Sequence, residues 1–402
     1  MRAKQVAGPR AGLSPLVVAS LFTSLCLGLP CGCDDATSEA PSDATVFIDA
    51  VDAVGADVED AGVDGSMSVD APSPLDVNDT LPAQDTQMLD GGSSAKGTFV
   101  SLGACDAAEE VQNSNNVVPG ATCHRAEVTC EGLDPIEVTV LIGRPPEGVP
   151  VKGGVTFSSG TGGTTWYNAA IAKALVEEGF VTIRRRWSYD WETGPGGMRR
   201  SSCRFATMLE WLRSRDWTQG RPLCATGNSG GASEIAYGLS AQGMGEVLDL
   251  AVVTGGPPMG RVDLGCLGAA AWEQQCHDLV PEDACPDEGL SCGYTPGATS
   301  LIDSAYEGAP CAAAAEGGDV DELVLDSVVS PLGVYDYPQT RVHIIQGRED
   351  CSEAAPLGML YAEAVTSEKE VEWVDAPHGV FQSQAGMEAI RDAILTGCVL
   401  RH

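Results

Sequence analysis

Basic residues are scarce in this chain. Lys and Arg together number 23 against 57 Asp and Glu, which gives a formal net charge of −34 and an isoelectric point near 4.2. A surface of this charge repels the phosphates of nucleic acid, which excludes a nucleic-acid partner. The sequence also lacks any Cys-x-x-Cys pair, the spacing typical of structural zinc sites. We therefore expect no metal in this protein.

Long apolar runs are nearly absent as well. The one such run, Leu13 to Leu29, follows a short basic start and precedes polar sequence. This is typical of an export signal, predicted here for residues 1–33, rather than of a membrane span. The end of the signal resembles bacterial lipoprotein signals, in which a cysteine becomes the lipidated first residue. Cys33 is the better candidate and Cys31 the second, but Pro30 replaces the usual leucine, so plain secretion is the alternative.

Aromatic residues almost disappear between positions 34 and 96. This stretch has fifteen acidic residues and one Lys, together with many Ala, Val, Ser and Gly. It cannot bury enough apolar surface to offset the entropy lost on ordering, so we predict an acidic disordered linker. Its repeated Asp steps match no calcium-binding loop with fixed ligand spacing, which disfavours calcium binding. The remaining residues, 97–402, suffice for one large domain.

Cysteine, by contrast, is plentiful. Fifteen cysteines occur, and twelve of them lie in 97–402. An even number in an exported domain indicates disulfides and an oxidising compartment outside the cytoplasm. We expect all twelve to be oxidised, and the protein to be a cell-envelope lipoprotein or a secreted protein.

The most informative motif is Gly227-Asn228-Ser229-Gly230-Gly231. Small residues are needed where a strand turns sharply into a helix around a serine, because side chains two positions away would collide. A strand-like segment, Pro222–Thr226, precedes the motif, and apolar residues at helical spacing follow it. A second match, Gly289–Gly293, follows loop-forming residues instead. Ser229 is therefore the predicted nucleophile, and Ser291 belongs to a coincidental match.

Strand-like and helix-like segments alternate along the domain after an initial antiparallel hairpin. Such alternation predicts helices that cross over a mostly parallel sheet, with the active site at the carboxyl ends of the strands. The predicted strands are Ala126–Cys130, Ile136–Ile142, Val155–Ser158, Phe180–Trp187, Pro222–Thr226, Leu248–Thr254, Arg341–Gln346 and Val371–Val374. The predicted helices are Ala169–Glu178, Cys203–Arg213, Ala232–Leu239, Leu357–Val365 and Gly386–Leu395.

Polar residues follow the last two of these strands. Asp350 comes after the seventh strand and His378 after the eighth. With Ser229, the order Ser, Asp, His along three strand ends resembles the α/β-hydrolase family. The resemblance implies an α/β fold with a mostly parallel central sheet and helices on both faces. It also implies that His378 takes the proton of Ser229 and that Asp350 orients His378, with Glu349 as the alternative acid.

Acyl transfer through such a triad also requires two backbone N–H groups that stabilise the developing oxyanion. Gly230, directly after the nucleophile, is expected to supply one. The resemblance implies that the other comes from the loop after the strand that ends at Ser158, with Thr161 or Gly162 as the donor. This loop departs from the His-Gly-Gly-Gly form of many lipases and esterases, so both donors stay open.

A segment from about 257 to 325 contains five cysteines, many Pro and Gly, and little periodicity. The resemblance implies a cap over the active site at this point, and the cysteines favour an ordered one. We expect local pairs within the cap and a disulfide between Cys351 and Cys398, which would tie the acid loop to the last helix. Aromatic candidates for a substrate pocket, whose alternative is a place in the core or rim, are Trp166, Tyr167 and Trp187.

The predicted function is cleavage of carboxylic esters, in small molecules or polymers, by an exported monomeric serine hydrolase without a cofactor. Serine peptidases and polyester depolymerases share this frame and stay open as alternatives. A catalytically silent binding protein is disfavoured because the Ser-Asp-His set is complete. An NADP-binding oxidoreductase is disfavoured too, since the Gly160-x-Gly162 pattern has Thr165 at its third glycine position, although Arg184–Arg186 follow at a fitting distance. Membrane attachment is expected only if Cys33 is lipidated.

Overall fold

The computed structural model describes residues 92–93, 96–105, 118–215, 218, 220–286 and 289–399. These residues belong to one of the two units of the chain, Asp79–His402. The predicted export signal, the lipidation candidate Cys33 and nearly all of the predicted linker 34–96 lie outside the described residues and stay predictions.

Ten strands, numbered along the chain, form one sheet. They are β1 Gly92–Ser93, β2 Gly97–Ala104, β3 Thr122–Cys130, β4 Ile136–Gly143, β5 Gly153–Ser158, β6 Phe180–Trp187, β7 Leu223–Asn228, β8 Leu250–Thr254, β9 Arg341–Gly347 and β10 Lys369–Val374. Their order across the sheet is β1-β2-β3-β4-β6-β5-β7-β8-β9-β10. Strands β1 to β4 pair antiparallel, as do β4 and β6, whereas β6, β5, β7, β8, β9 and β10 pair parallel.

The parallel strands are buried on both faces, which explains their nearly continuous apolar sequence. In β9, Val342 and Ile344 pack into the larger hydrophobic cluster, while Ile345 packs into the cluster on the opposite face. Side chains alternate between the faces because the repeat of a strand is two residues. The helices that follow these strands therefore have an apolar surface to cover on each side.

Helices cover both faces of the sheet. The first face carries α1 Ala169–Glu177 and α11 Gln384–Gly397, whose Ile171, Leu175, Ile390 and Ile394 join the smaller cluster. The second carries α2 Met198–Ser201, α3 Cys203–Ser214, α4 Gly230–Gln242 and α10 Ala354–Ala364. Every strand and helix predicted from periodicity is present, with ends that differ by a few residues.

The chain between β8 and β9, residues 255–340, forms an insertion with five short helices among its described residues. They are α5 Val262–Leu267, α6 Ala269–Asp278, α7 Pro296–Asp303, α8 Pro310–Ala315 and α9 Asp321–Asp326. None of these helices is predicted from the sequence, because this segment shows no clear apolar period. The mostly parallel sheet, the helices on both faces and this cysteine-rich insertion confirm the predicted α/β-hydrolase fold.

All twelve cysteines from Cys105 onward are paired, as expected. The pairs are Cys105–Cys123, Cys130–Cys203, Cys224–Cys398, Cys266–Cys311, Cys276–Cys292 and Cys285–Cys351. Two of them, Cys266–Cys311 and Cys276–Cys292, lie within the insertion. Six disulfides indicate an oxidising, extracytoplasmic environment.

The predicted bond between Cys351 and Cys398 is wrong. Cys351 follows the carboxyl end of β9 and binds Cys285 of the insertion, whereas Cys398 binds Cys224 near the amino end of β7. The last helix runs back along the sheet after β10, so it ends near the amino ends of the strands, opposite to the acid loop at their carboxyl ends. The acid loop is therefore tied to the insertion and not to the last helix.

No helix within the described ranges is long and apolar enough to cross a membrane.

Candidate active site

Ser229 stands between β7 and α4, on a turn that only small neighbours allow. Its backbone has φ +55° and ψ −122°, a conformation that side-chain-bearing residues rarely adopt, and its N–H donates to the Thr254 carbonyl over 2.9 Å. A Cβ at Gly227 would collide with the Gly231 backbone, and one at Gly231 would collide with the backbone of Ser158 and Ser159. The glycines of the motif thus have a steric reason to be present.

Ser291, in the second Gly-x-Ser-x-Gly match, occupies a loop of the insertion. Its hydroxyl donates to the Gly293 carbonyl over 2.9 Å, and its N–H donates to the Cys351 carbonyl over 2.9 Å. It lies neither at the end of a strand nor at the start of a helix. The two matches therefore differ in structure as the sequence context predicts.

Asp350 and His378 are hydrogen-bonded to each other. His378 Nδ1 lies 2.8 Å from Asp350 Oδ2, and Asp350 is buried. The other carboxylate oxygen, Oδ1, accepts the Ser352 hydroxyl over 2.6 Å and the Ser352 N–H over 3.0 Å. His378 and Ser352 make all the hydrogen bonds described for this carboxylate, and they hold its plane fixed relative to the imidazole. Glu349, the alternative acid, is exposed.

The pKa of His378 lies above its ordinary value. Burial lowers it, but the hydrogen bond and the negative charge of Asp350 raise it, and the charge of Glu353 raises it further. An imidazole bound in this way to a carboxylate carries its proton on Nδ1 and leaves Nε2 free to accept another. The histidine is thus suited to act as a general base.

Ser229 and His378 line one cavity of about 650 Å³. Strand-end residues form one side, including Thr161, Asp190 and Glu353, and residues of the insertion form the other, including Tyr294, Thr295, Leu301 and Ile302. The insertion therefore lies against the candidate catalytic residues, at the carboxyl ends of the parallel strands.

The predicted oxyanion donors are only partly brought together. Gly230 and Thr161 line the cavity and approach closely, since a Cβ at Gly230 would collide with the Thr161 carbonyl. Thr161 has φ +50°, an unusual value for a residue with a branched side chain. Gly162 instead packs against Asp190, and its carbonyl accepts the Trp191 N–H over 2.9 Å. Of the two candidates in this loop, Thr161 is the one at the cavity.

The three aromatic candidates do not line this cavity, which corrects their predicted pocket role. Tyr167 is fully buried between the rings of Phe157 and Phe381, and Trp187 is buried with its indole N–H donating to Glu234 Oε1 over 2.8 Å. Trp166 lies beside the guanidinium groups of Arg184 and Arg186. These residues follow the alternative weighed from the sequence, a place in the core or its rim, because ring surface is most stable when covered.

The arginine run is structural. Arg184 and Arg185 are buried inside β6, where Arg185 forms an ion pair with Glu234 of α4 and donates to the Ser158 hydroxyl over 2.8 Å. Burial lowers the pKa of Arg185 to about 9. Buried side chains at the strand next to β5 cannot reach a nucleotide phosphate in solvent, which removes the basis of the NADP-binding alternative. Arg185 instead connects β6 to Glu234 of the helix after Ser229 and to Ser158 at the end of β5, the strand before the loop of Thr161.

Residues that the sequence reasoning missed are Ser352, Glu353, Asp190 and Tyr294. Ser352 and Glu353 follow Asp350 so closely that the position of the acid was itself a usable signal. Tyr294 lies in the insertion, where no periodic pattern pointed to a cavity. Within the described part of the chain, no group of three or more His, Cys, Asp and Glu could hold a metal ion.

No protein-family model matches the chain, and no curated protein matches it. Solved structures of low sequence identity resemble it. The dienelactone hydrolase of Anabaena variabilis is 14% identical with a TM-score of 0.39, over 70% of this chain and 99% of that one. Brefeldin A esterase, titled a bacterial homologue of human hormone-sensitive lipase, is 16% identical with a TM-score of 0.43, over 69% and 76%. Fungal esterases of Rhizomucor miehei are represented at 13% identity and a TM-score of 0.45, over 72% and 91%. Similarity at this level carries no information about the activity of this chain.

Proposed function

We propose that the protein is an extracytoplasmic serine hydrolase that cleaves carboxylic esters through an acyl-enzyme intermediate. The observation that carries this proposal is the 2.8 Å hydrogen bond between His378 and the buried Asp350, with His378 opening onto the same cavity as Ser229. Ser229 acts as the nucleophile, His378 as the general base and acid, and Asp350 as the group that orients the imidazole.

The first half-reaction forms the acyl-enzyme. His378 Nε2 accepts the proton of the Ser229 hydroxyl as its oxygen attacks the ester carbonyl, and the imidazolium then protonates the departing alcohol. Asp350 stabilises the imidazolium through the Nδ1 hydrogen bond without itself taking a proton. In the second half-reaction a water molecule replaces the alcohol, and the same proton transfers release the acid.

The tetrahedral intermediates place negative charge on the former carbonyl oxygen. We assign the N–H groups of Gly230 and Thr161 as the donors that stabilise it. Gly230 begins α4, so its N–H is among those without a partner inside the helix. The close approach of Thr161 to Gly230 and its positive φ support this pair over Gly162.

A fluorophosphonate reagent tests the reaction class directly. We expect a covalent adduct on Ser229, found by mass spectrometry of a proteolytic digest, and release of alcohol from a panel of esters with graded acyl chains. Peptide hydrolysis without ester preference would favour the serine peptidase alternative, and solubilisation of polyester films would favour a depolymerase. An adduct at Ser291 or no adduct at all would refute the proposed site.

We further propose that Cys33 is lipidated and anchors a monomeric enzyme to the cell envelope. Only the sequence supports this, through the apolar run and the cysteine that follows it. The Cys33→Ser variant is expected in the soluble fraction, and the wild type in the membrane fraction, because the acidic linker has no apolar surface of its own. If Cys31→Ser moves the protein instead, the lipid is on Cys31; plain secretion predicts no effect of either change.

A further inference from the structure

The charged lining of the catalytic cavity has one sign. Asp190 and Glu353 contribute carboxylates, and among the described residues that line it, no Lys or Arg is present. The other ionisable groups that line it are His378 and Tyr294. A substrate inside this cavity therefore lies near two carboxylates and near no Lys or Arg of the described lining.

Glu353 is buried to more than nine-tenths, with 7% of its surface exposed, and still lines the cavity. Within the described part of the chain, no other residue donates a hydrogen bond to its carboxylate; the backbone of Glu353 alone contributes one. Its carboxylate oxygens are not fully enclosed and reach the open cavity, where water can solvate them. A cationic group that enters the cavity can take the place of that water as the partner of the carboxylate.

The surroundings of Glu353 strengthen its field. Apolar side chains form much of the cavity wall: Pro258, Met259, Ala298, Leu301, Ile302 and Ala354. Charges attract and repel more strongly next to such surfaces than in water. Burial raises the pKa of Glu353, as does the charge of Asp350, and both favour the neutral acid, whereas a positive charge nearby, such as that of His378, lowers this pKa and favours the carboxylate.

We propose that Glu353, assisted by Asp190, selects esters that carry an ammonium group and excludes esters that carry a carboxylate. The proposal rests on the esterase activity proposed above. An ammonium headgroup with short alkyl substituents would satisfy the buried carboxylate and pack against the apolar wall at once, whereas a neutral group of the same shape would do only the second.

The test compares kcat/KM for esters of one acyl group with matched alcohols. We expect the ester of choline to exceed that of 3,3-dimethylbutanol, its uncharged isostere, by about tenfold or more, and an ester with a terminal carboxylate to fall below both. The ratio of choline to dimethylbutyl ester cancels any change in the catalytic base, since both reactions use it. A ratio near or below one would overturn the proposal, as would a glycerol ester better than both.

Variants assign the effect to residues. Glu353→Gln should bring the ratio towards one, and Asp190→Asn should lower it less. Glu349→Gln removes the same charge from an exposed position outside the cavity, four residues away, and should leave the ratio unchanged. An unchanged ratio in Glu353→Gln, or an equal loss in Glu349→Gln, would overturn the assignment.

A measurement on the unaltered protein covers the case in which Glu353→Gln does not fold. Tetramethylammonium should inhibit hydrolysis of the dimethylbutyl ester competitively and at lower concentration than the neutral tert-butanol. Equal inhibition would overturn the proposal. If no ester of the series is hydrolysed, the choline ester included, the proposed esterase function fails, whereas hydrolysis without cation preference refutes only the inference about Glu353.

Discussion

The sheet scaffold and the insertion are held together in different ways. In the scaffold, strands β2 to β10, of five to nine residues, and helices of up to fourteen enclose two large hydrophobic clusters. In the insertion, helices of six to ten residues depend on two internal disulfides and on side chains that bind backbone groups. Asp303, for example, accepts the N–H groups of Cys311 and Ala312 at the start of α8. The insertion helices add a few residues, such as Val262, Ile302 and Leu323, to the larger cluster, and three disulfides also lie in the scaffold. Burial therefore contributes more to the first region, and specific links contribute more to the second.

The two regions meet at the acid loop. Cys285 binds Cys351, the Cys285 N–H donates to the Arg348 carbonyl over 2.6 Å, and Arg348 forms an ion pair with Asp283. The scaffold thus supplies the candidate catalytic groups, while the insertion fixes the loop that carries the acid and walls the cavity. Specificity can change in such an insertion without disturbing the sheet.

The largest expected effect separates the two serine motifs, one in each region. Ser229→Ala should lower kcat by more than about 10³-fold, because no other group can form the acyl-enzyme. Ser291→Ala, its matched control in the insertion, should leave kcat nearly unchanged, since its hydroxyl only bonds Gly293. Steady-state kinetics on both purified variants decides this. Comparable losses in the two would mean that the scaffold turn is not the site of chemistry.

The next effect concerns the acid. Asp350→Asn should lower kcat roughly 10²- to 10⁴-fold with the fold intact, because an amide favours the wrong imidazole tautomer and loses the charge that stabilises the imidazolium. Circular dichroism checks the fold.

Glu349→Gln is the control for that change, since it alters an exposed neighbour in the same loop. It should change kcat less than about threefold. A reversal of the two results would assign the acid to Glu349.

The same contrast explains how far the sequence could be interpreted. Periodicity located β5 to β10 and their helices, and the three candidate catalytic residues follow directly from strand ends. The insertion helices left no such pattern, because each buries only one or two hydrophobic side chains. Pairing of Cys351 with Cys285 depends on whether each loop lies at the amino or the carboxyl ends of the strands. The spacing of the cysteines along the sequence does not determine that position. Tyr167 and Trp187 looked like pocket residues because they follow strand ends, yet their rings are covered by neighbouring residues.

Removing a disulfide of the scaffold, and separately the disulfide that joins the insertion to the acid loop, should distinguish stability from activity. Cys224→Ser with Cys398→Ser opens a link of 174 residues between the last helix and β7, and should cost about 2–5 kcal/mol of unfolding free energy. At a temperature where this double variant stays folded, its kcat should be near that of the wild type, because the link lies near the amino ends of the strands and the cavity lies at their carboxyl ends.

Cys285→Ser with Cys351→Ser should behave in the opposite way. Loss of this link loosens the acid loop, so we expect a several-fold to tenfold fall in kcat with a smaller loss of unfolding free energy. Denaturant unfolding and kinetics on both double variants provide the comparison. If the 285–351 variant kept full activity, the insertion would not position the acid.

The smallest effect is a displacement of the pH profile. The base must be neutral to act, and the pKa of His378 is raised above 6.5, so kcat/KM for a neutral ester should rise with pH through a midpoint above that value. Glu353 on the scaffold lines the same cavity as Tyr294 of the insertion, and its negative charge favours the imidazolium of His378. Glu353→Gln removes that charge, lowers the pKa of His378 and should move the midpoint to lower pH by less than about one unit.

Because the charged imidazole of His378 is favoured in the folded state, its contribution to stability is present below about pH 6.5 and is lost as pH rises through the folded-state pKa. Glu349→Gln should change neither the midpoint nor the pKa of His378. A midpoint shift towards higher pH in Glu353→Gln would show that this carboxylate does not act on His378 through its charge.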